Sequence, residues 1–515
     1  MKKMKKFMAL AMATMMVFSV AGCGKGGKGG NKEVNATNGG KPVEIAYWNS
    51  GMGTAYLDKL IEAFNAKQSD WFVYYAASAD SSSLVTSFGL DDVDSVDLYF
   101  ATKKYDTEYM APLDDLLESK PEGESKSIKE KFNASYLGYE QAADDHYYTL
   151  TWGGGAIGIV YNKELFEEAS IGTLPRTTNE LALVCDTLKE ADITAMTHSK
   201  GNTVAPGYWE YMMEVLTAQY DGLDYYQNTF FGNPTKDILT AKDGRYATIK
   251  AMEQILSSEY VQNGANAQDS ITAQTTFLNS KIGMMITGSW MSNEMASVGK
   301  TDKYGVMKTP VVSSIIDKLV TVESETELRN LITAIDAVTD GTATLMDYET
   351  GYGYLINGKT VALADWDYVE AARNSTASNY AHQVCWIPNY SDAIDGAKEF
   401  LKFYYSDEGI KIMADTLHMT LPIAMSEGEI DTSNWNSFEK DMFDLYMNAD
   451  QIVSSGDMGK HSLFINGGAS PFAGYNFGQY FCSNNPSDRI TGEEAWDEIV
   501  KRVETNYDQW MANIK

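Results

Sequence analysis

The sequence predicts an α/β fold on sheets with parallel members, and three observations lead there. From Val43 onward, segments that alternate like strands take turns with segments of helical spacing. About 470 residues remain after an N-terminal stretch that cannot join a core, enough for two lobes with substantial cores. The hydrophobic fraction of 44% suits a globular chain, and no stretch beyond the N-terminus is long enough to span a membrane.

Residues 1–6 carry four lysines, and residues 7–20 form an almost unbroken apolar run. A charged start and a short apolar run read as an export signal, since a spanning helix needs about 20 apolar residues. The run ends in Ser19-Val20-Ala21-Gly22-Cys23, which resembles the lipobox of bacterial lipoproteins, with Val20 where leucine is commoner. That resemblance implies a signal peptide over 1–22, lipidation of Cys23, and anchoring to the outer face of the cell membrane by several acyl chains. Residues 23–42, rich in Gly, Lys and Asn, behave as a tether.

The folded part opens with a strand over 43–48, a loop, then Leu57, Leu60, Ile61 and Phe64 at helical spacing. Strands follow at 71–76 and 96–100. Ligands of such sheets sit at the carboxyl ends of strands, which places Trp48, Asn49, Ser78 and Thr102 on one rim. A strand at 156–161 leads into a helix from Asn162. Thr177 and Glu180 have the spacing of a capping box, as do Thr491 and Glu494. Trp496 and Trp510 lie on a closing helical stripe and read as core.

The net charge is −30, from 41 basic and 71 acidic residues, which opposes nucleic acid and anionic surfaces. Cys185, Cys385 and Cys482 are scattered without metal or redox spacing and read as buried free thiols; one disulfide stays open as an alternative. No cofactor is expected. Asp91, Asp92, Asp94 and Asp97 read as a solvated loop. Asp336, Asp340 and Asp347 echo a calcium loop but put Val338 and Ala343 at ligand-relevant positions.

Four segments carry a family resemblance. Residues 158–166 (GIVYNKELF) look like the "YNK-x-LF" strand-to-helix signature of bacterial sugar-type extracellular solute-binding proteins. Residues 175–181 look like its "P-x-T-W-x-E-L", with Thr178 for the tryptophan. Residues 277–290 are similar to "F-x(5)-G-x-M-x(2)-G-x-W", and 391–403 to "S-x(5)-A-x-E-F-x-x-F". The resemblance extends over roughly 160–410, interrupted by an insertion at about 311–385 with helices expected at 325–335 and 365–373.

The resemblance implies a two-lobed periplasmic-binding-protein-like fold, maltose-binding-protein-like, with hinge strands and a central ligand cleft. Residues 43–150 would begin the N-lobe and 151–307 supply the hinge and the first part of the C-lobe. Residues 308–406 would return to the N-lobe, and 407–515 finish mainly on the C-lobe. The glycines of Thr151-Trp152-Gly153-Gly154-Gly155 suit a hinge. The implied role is capture of a carbohydrate, an oligosaccharide by preference, for an ABC transporter's permease subunits, by a monomer that meets the membrane only through lipid. Flat aromatic rings stack on sugars while amides and carboxylates bond hydroxyls. Trp48, Trp152, Tyr208, Trp209, Trp290 and Tyr475 are the candidate rings, and Asn49, Thr102 and Asn466 the candidate polar contacts. A peptide or other small solute on the same fold is the alternative, and a secreted glycosidase the remote one, since carboxylate pairs suffice for that chemistry but sit here in no catalytic motif.

Overall fold

The computed structural model describes residues 36–514 except 79–80, 82–83, 85–95, 103–106, 202–206, 455–461 and 466. The export signal, Cys23, Asn466 and the Asp91–Asp94 acidic run lie outside the described residues.

Two sheets organise the fold. In the first, β1 (Lys41–Trp48) lies between β2 (Trp71–Ser78) and β3 (Leu98–Thr102), parallel to both. Val43, Ile45 and Tyr47 on one face are fully buried and Glu44 and Ala46 on the other nearly so, as befits a central parallel strand covered on both faces. Helix Ala55–Lys67 covers one face with Tyr56, Leu57, Leu60 and Phe64, largely the residues whose spacing predicted it. The sheet is completed by β4 (Leu150–Thr151) and by a strand from late in the chain.

The second sheet contains β5 (Ala156–Asn162), β6 (Thr194–Thr197), β7 (Ile282–Gly288) and β8 (Tyr304–Met307). Asn162 accepts the Glu164 and Leu165 amides and so starts helix Lys163–Glu168, which explains the strand-to-helix signature. Thr177 likewise accepts the Glu180 amide. The Glu180 carboxylate does not return to Thr177, however. It takes the Arg176 amide and guanidinium instead, so the expected box is one-sided. At Thr491 and Glu494 both halves form.

Residues 311–373 build an appendage of helix Glu325–Thr339, a small sheet of β9 (Glu349–Thr350), β10 (Gly353–Ile356) and β11 (Lys359–Val361), and helix Leu363–Arg373. The expected return to the first lobe at 308 is corrected here. Val311 bridges Thr177, Gln219 accepts the Val312 amide and donates to the Ala372 carbonyl, and Glu325 accepts Asn179. The appendage therefore packs on the second lobe. β12 (Ser375–Ser378) still pairs with β5 there, and only β13 (Gln383–Trp386) re-enters the first sheet, between β3 and β4. The chain finishes through helices Asp407–Leu417 and Ser437–Met447, β14 (Gln451–Ser454) beside β12, and helix Gly492–Asn513.

The calcium-like carboxylates are otherwise engaged. Burial alone would raise the Asp336 pKa, but Arg373 and Lys308 hold it below the usual range. Asp347 caps its own turn at Thr344. Cys185, Cys385 and Cys482 are buried free thiols.

Asp221 is a buried acid with a testable signature. Its carboxylate accepts the Gly244 amide at 3.0 Å, while burial first and the neighbouring Asp243 second push its pKa up to about 7. An unfolded aspartate titrates near 3.9, so the folded state binds the proton more tightly and stability falls as pH rises from about 4 to 7. Asp221→Asn removes that penalty. Its melting temperature relative to the unsubstituted protein should climb across this window and level off above it, as thermal melts from pH 4 to 8 would reveal.

Candidate functional site

Three crossings join the two sheets, and the site forms around them. The first is residues 152–155, between β4 and β5. Here the glycines are required by close approach. A Cβ on Gly153 would stand 2.8 Å from Met52 Sδ, and one on Gly155 would stand 2.0 Å from Ser289 Oγ. Gly154 has φ +103, a region L side chains avoid. The second crossing is residues 379–382. Asn379 Oδ1 accepts the Gly155 amide at 2.7 Å and the Asn379 amide donates to the Gly155 carbonyl, which ties these two crossings together. The third leaves helix Asp407–Leu417 at His418, whose ring stacks on Trp435 at 5.4 Å and whose Nδ1 lies 2.8 Å from Glu439 Oε2.

The first rim is where the strand ends predicted it. Trp48 stands opposite Ser78 in the register, and Thr102 opposite Gln383. Trp48 is half-buried, its ring edge-on to Trp152 at 6.4 Å. The exposed Asn49 uses its side-chain oxygen to accept the Gly53 amide and so shapes the loop. The Thr102 hydroxyl accepts Ser81 at 3.1 Å. Ser50 reaches Gln383 Oε1 at 3.3 Å.

The second rim is built on β7 and the segment before helix Trp209–Asp221. Tyr208 adopts φ +64, an uncommon conformation for a non-glycine residue, and stacks on Tyr211 at 6.3 Å. Its ring lies 5.4 Å from that of Trp290. The Trp290 indole lies over Gly288, where a Cβ would come within 2.2 Å of it, which is why glycine precedes this tryptophan by two. Helix Met291–Glu294 follows. Its three polar residues point three ways: Ser292 donates to Glu439, Asn293 donates to the Leu417 carbonyl, and Glu294 accepts Gln274 Nε2 at 2.8 Å. The rims meet at Glu294, since a Cβ on Gly51 would lie 2.5 Å from its Oε1. Burial raises the Glu294 pKa, and the Gln274 hydrogen bond opposes the rise.

This geometry can hold a neutral, hydroxyl-rich molecule. It offers rings for stacking, and the buried polar atoms Gln274 Oε1 and Ser289 Oγ stand without partners. Such atoms are costly unless something satisfies them.

Not every expected residue sits here. Trp152 is 0% exposed, enclosed by Phe100 at 5.5 Å and Tyr47 at 5.3 Å, with its indole N–H on the Ala101 carbonyl. It is core of the first lobe, because at the start of the crossing its ring turns in between Phe100 and Tyr47. Trp209 is 3% exposed within the second lobe. Trp290, by contrast, does stand at the second rim beside Tyr208, with only 7% of it exposed. Tyr475 stacks on Tyr480 and lies under Arg502 of the C-terminal helix, committed to that contact. The sequence reading missed Gln274, Ser289, Glu294 and Gln383. Glu294 was findable, since i to i+4 spacing on a helix puts it one turn after Trp290.

The family model described as "Bacterial extracellular solute-binding protein" matches residues 48–411. Binding proteins of Brucella abortus and Brucella suis are 25% identical over 183 residues, 36% of this chain. The chain spans 42% of the length of these curated relatives. Among solved structures, the apo form of RafE from Streptococcus pneumoniae is similar at TM-score 0.59 and 13% identity, covering 92% of this chain and 98% of that one. The binding protein BlMnBP1 of an ABC transporter from Bifidobacterium animalis subsp. lactis, in complex with mannobiose, is similar at TM-score 0.55 and 16% identity, covering 92% and 96%. The cyclic α-maltosyl-1,6-maltose binding protein from Arthrobacter globiformis is similar at TM-score 0.55 and 14% identity, covering 91% and 99%. At these identities the likeness carries the two-lobed fold.

Proposed function

The chain belongs to the bacterial extracellular solute-binding protein family, and from that premise we propose that it captures a carbohydrate between its lobes and delivers it to the permease subunits of an ABC transporter. The observation that carries this reading is the pairing of aromatic rings with unsatisfied polar groups at facing rims: Trp48 on one, Tyr208 and Trp290 with Gln274 and Ser289 on the other. A sugar ring presents C–H faces to the former and hydroxyls to the latter. Solved relatives named for mannobiose and for chitin oligosaccharide favour the same ligand class. Binding without catalysis is part of the proposal. So are lipidation at Cys23, a monomeric state, and closure about the 152–155, 379–382 and 418–436 crossings. The lobes are then residues 41–151 with 383–417, and residues 156–378 with most of the remainder.

A thermal-shift screen against neutral saccharides and peptides tests this. A bound ligand raises the melting temperature by mass action, equivalent to about 2.7 kcal/mol at a hundredfold excess over Kd. We expect a neutral di- or oligosaccharide to give that rise unchanged in length after incubation. Trp48→Ala should weaken its binding roughly tenfold to a hundredfold while the ligand-free melt stays put. Stabilisation by peptides alone would overturn the carbohydrate, and shortened saccharide in the incubation would overturn the receptor reading in favour of hydrolysis.

A further inference from the structure

Resting on the carbohydrate reading above, we propose that Glu294 makes the site selective by charge: it accepts hydroxyls from a neutral saccharide and bars saccharides that bring a carboxylate or phosphate against it. The first support is position. Glu294 is where the rims meet, its Oε1 facing Gly51 of the opposite lobe and its Oε2 held by Gln274. Glu294 follows Trp290 by one helical turn, its amide donating to the Trp290 carbonyl, so the carboxylate is held beside the ring of the second rim.

The second support is its electrostatic isolation. An ionised carboxylate offers about four acceptor sites, and Gln274 Nε2 is the donor that the protein supplies. Among the described residues no lysine or arginine pairs with Glu294; burial raises its pKa and the Gln274 hydrogen bond opposes the rise. Gln274 is itself fixed in orientation: turning its amide would set its oxygen against the Glu294 oxygen. A half-buried carboxylate with one protein donor and no paired cation gains from hydroxyl donors and loses beside another anion, since no countercharge stands between them. The same site on a chain of net charge −30 has no long-range field to offset that repulsion.

The consequence is asymmetric. Removing the charge should weaken the proper ligand moderately and admit the wrong one. Titration calorimetry would use the tightest neutral saccharide from the screen and its analogue with one terminal sugar oxidised to the uronic acid. In the unsubstituted protein the neutral form is expected to bind at least a hundredfold more tightly. Glu294→Gln should bind the neutral form roughly tenfold more weakly and bring the two affinities within about tenfold of each other. Glu294→Asp, which keeps the charge, should keep the discrimination, and it separates a charge effect from a folding defect. Equal affinities in the unsubstituted protein, or a ratio that Glu294→Gln leaves unchanged, would overturn the proposal while leaving the carbohydrate reading intact. Failure of every saccharide to bind the unsubstituted protein would sink both.

Discussion

Replacing Lys131 by alanine is expected to destabilise the first lobe by about 3–5 kcal/mol, the scale for stripping one partner from a buried ion network. The Lys131 side chain has no exposed area. Its ammonium donates to Glu124 Oε2 at 2.5 Å, Asp407 Oδ1 at 2.8 Å and the Tyr405 carbonyl at 2.9 Å, so all three protons are used. Without it, two carboxylates that are 7% and 18% exposed face each other at the start of helix Asp407–Leu417. That helix leads into the third crossing at His418, so the damage should reach the hinge as well. Urea unfolding should show a lower midpoint at unchanged slope. Adding Glu124→Gln to Lys131→Ala should recover part of the loss, because one uncompensated charge is then gone. A midpoint unmoved by Lys131→Ala would show that water already solvates this cluster.

The second large effect is expected at Arg245, on the other lobe. Its guanidinium is fully buried and bonds Asp243 through two nitrogens, the Ile238 carbonyl at 2.8 Å and the Pro471 carbonyl at 3.1 Å. It is also sandwiched between Phe230 at 4.7 Å and Trp496 at 5.3 Å. One planar cation thus joins four segments, including the C-terminal helix. Arg245→Ala should cost about 3–5 kcal/mol and loosen that helix, seen as protease cleavage in residues 467–491 at temperatures where the unsubstituted protein resists. Arg245→Lys should rescue little, because an ammonium cannot fill the flat slot or make the forked pair with Asp243. Full rescue by lysine would mean that charge alone, and not shape, is what the slot requires.

Much of the architecture was legible before any coordinates. Alternation at 43–48 and 156–161, and the apolar spacing of Leu57, Leu60 and Phe64, became strands and a helix within a few residues of the expected bounds. The glycines at 153–155 marked a crossing, and the appendage helices lie where periodicity put them. The candidate site was legible in outline only. Trp48 closes β1 half-buried and Trp290 follows β7 with 7% exposure, whereas Trp152 beside the hinge turns inward onto Phe100, Tyr47 and the Ala101 carbonyl. Gln274 and Glu294, a hydrogen-bonded pair at the meeting of the rims, were not visible as a pair, being twenty residues apart across a strand.

By itself the sequence determined where strands, helices and turns lie, because periodicity, capping and glycine's backbone freedom act between residues close along the chain. The tertiary structure alone decided which lobe carries the appendage, through Val311 against Thr177, and which tryptophans face inward. Those outcomes depend on burial among residues far apart in the chain, and a side chain's surroundings exist only once distant segments have packed around it.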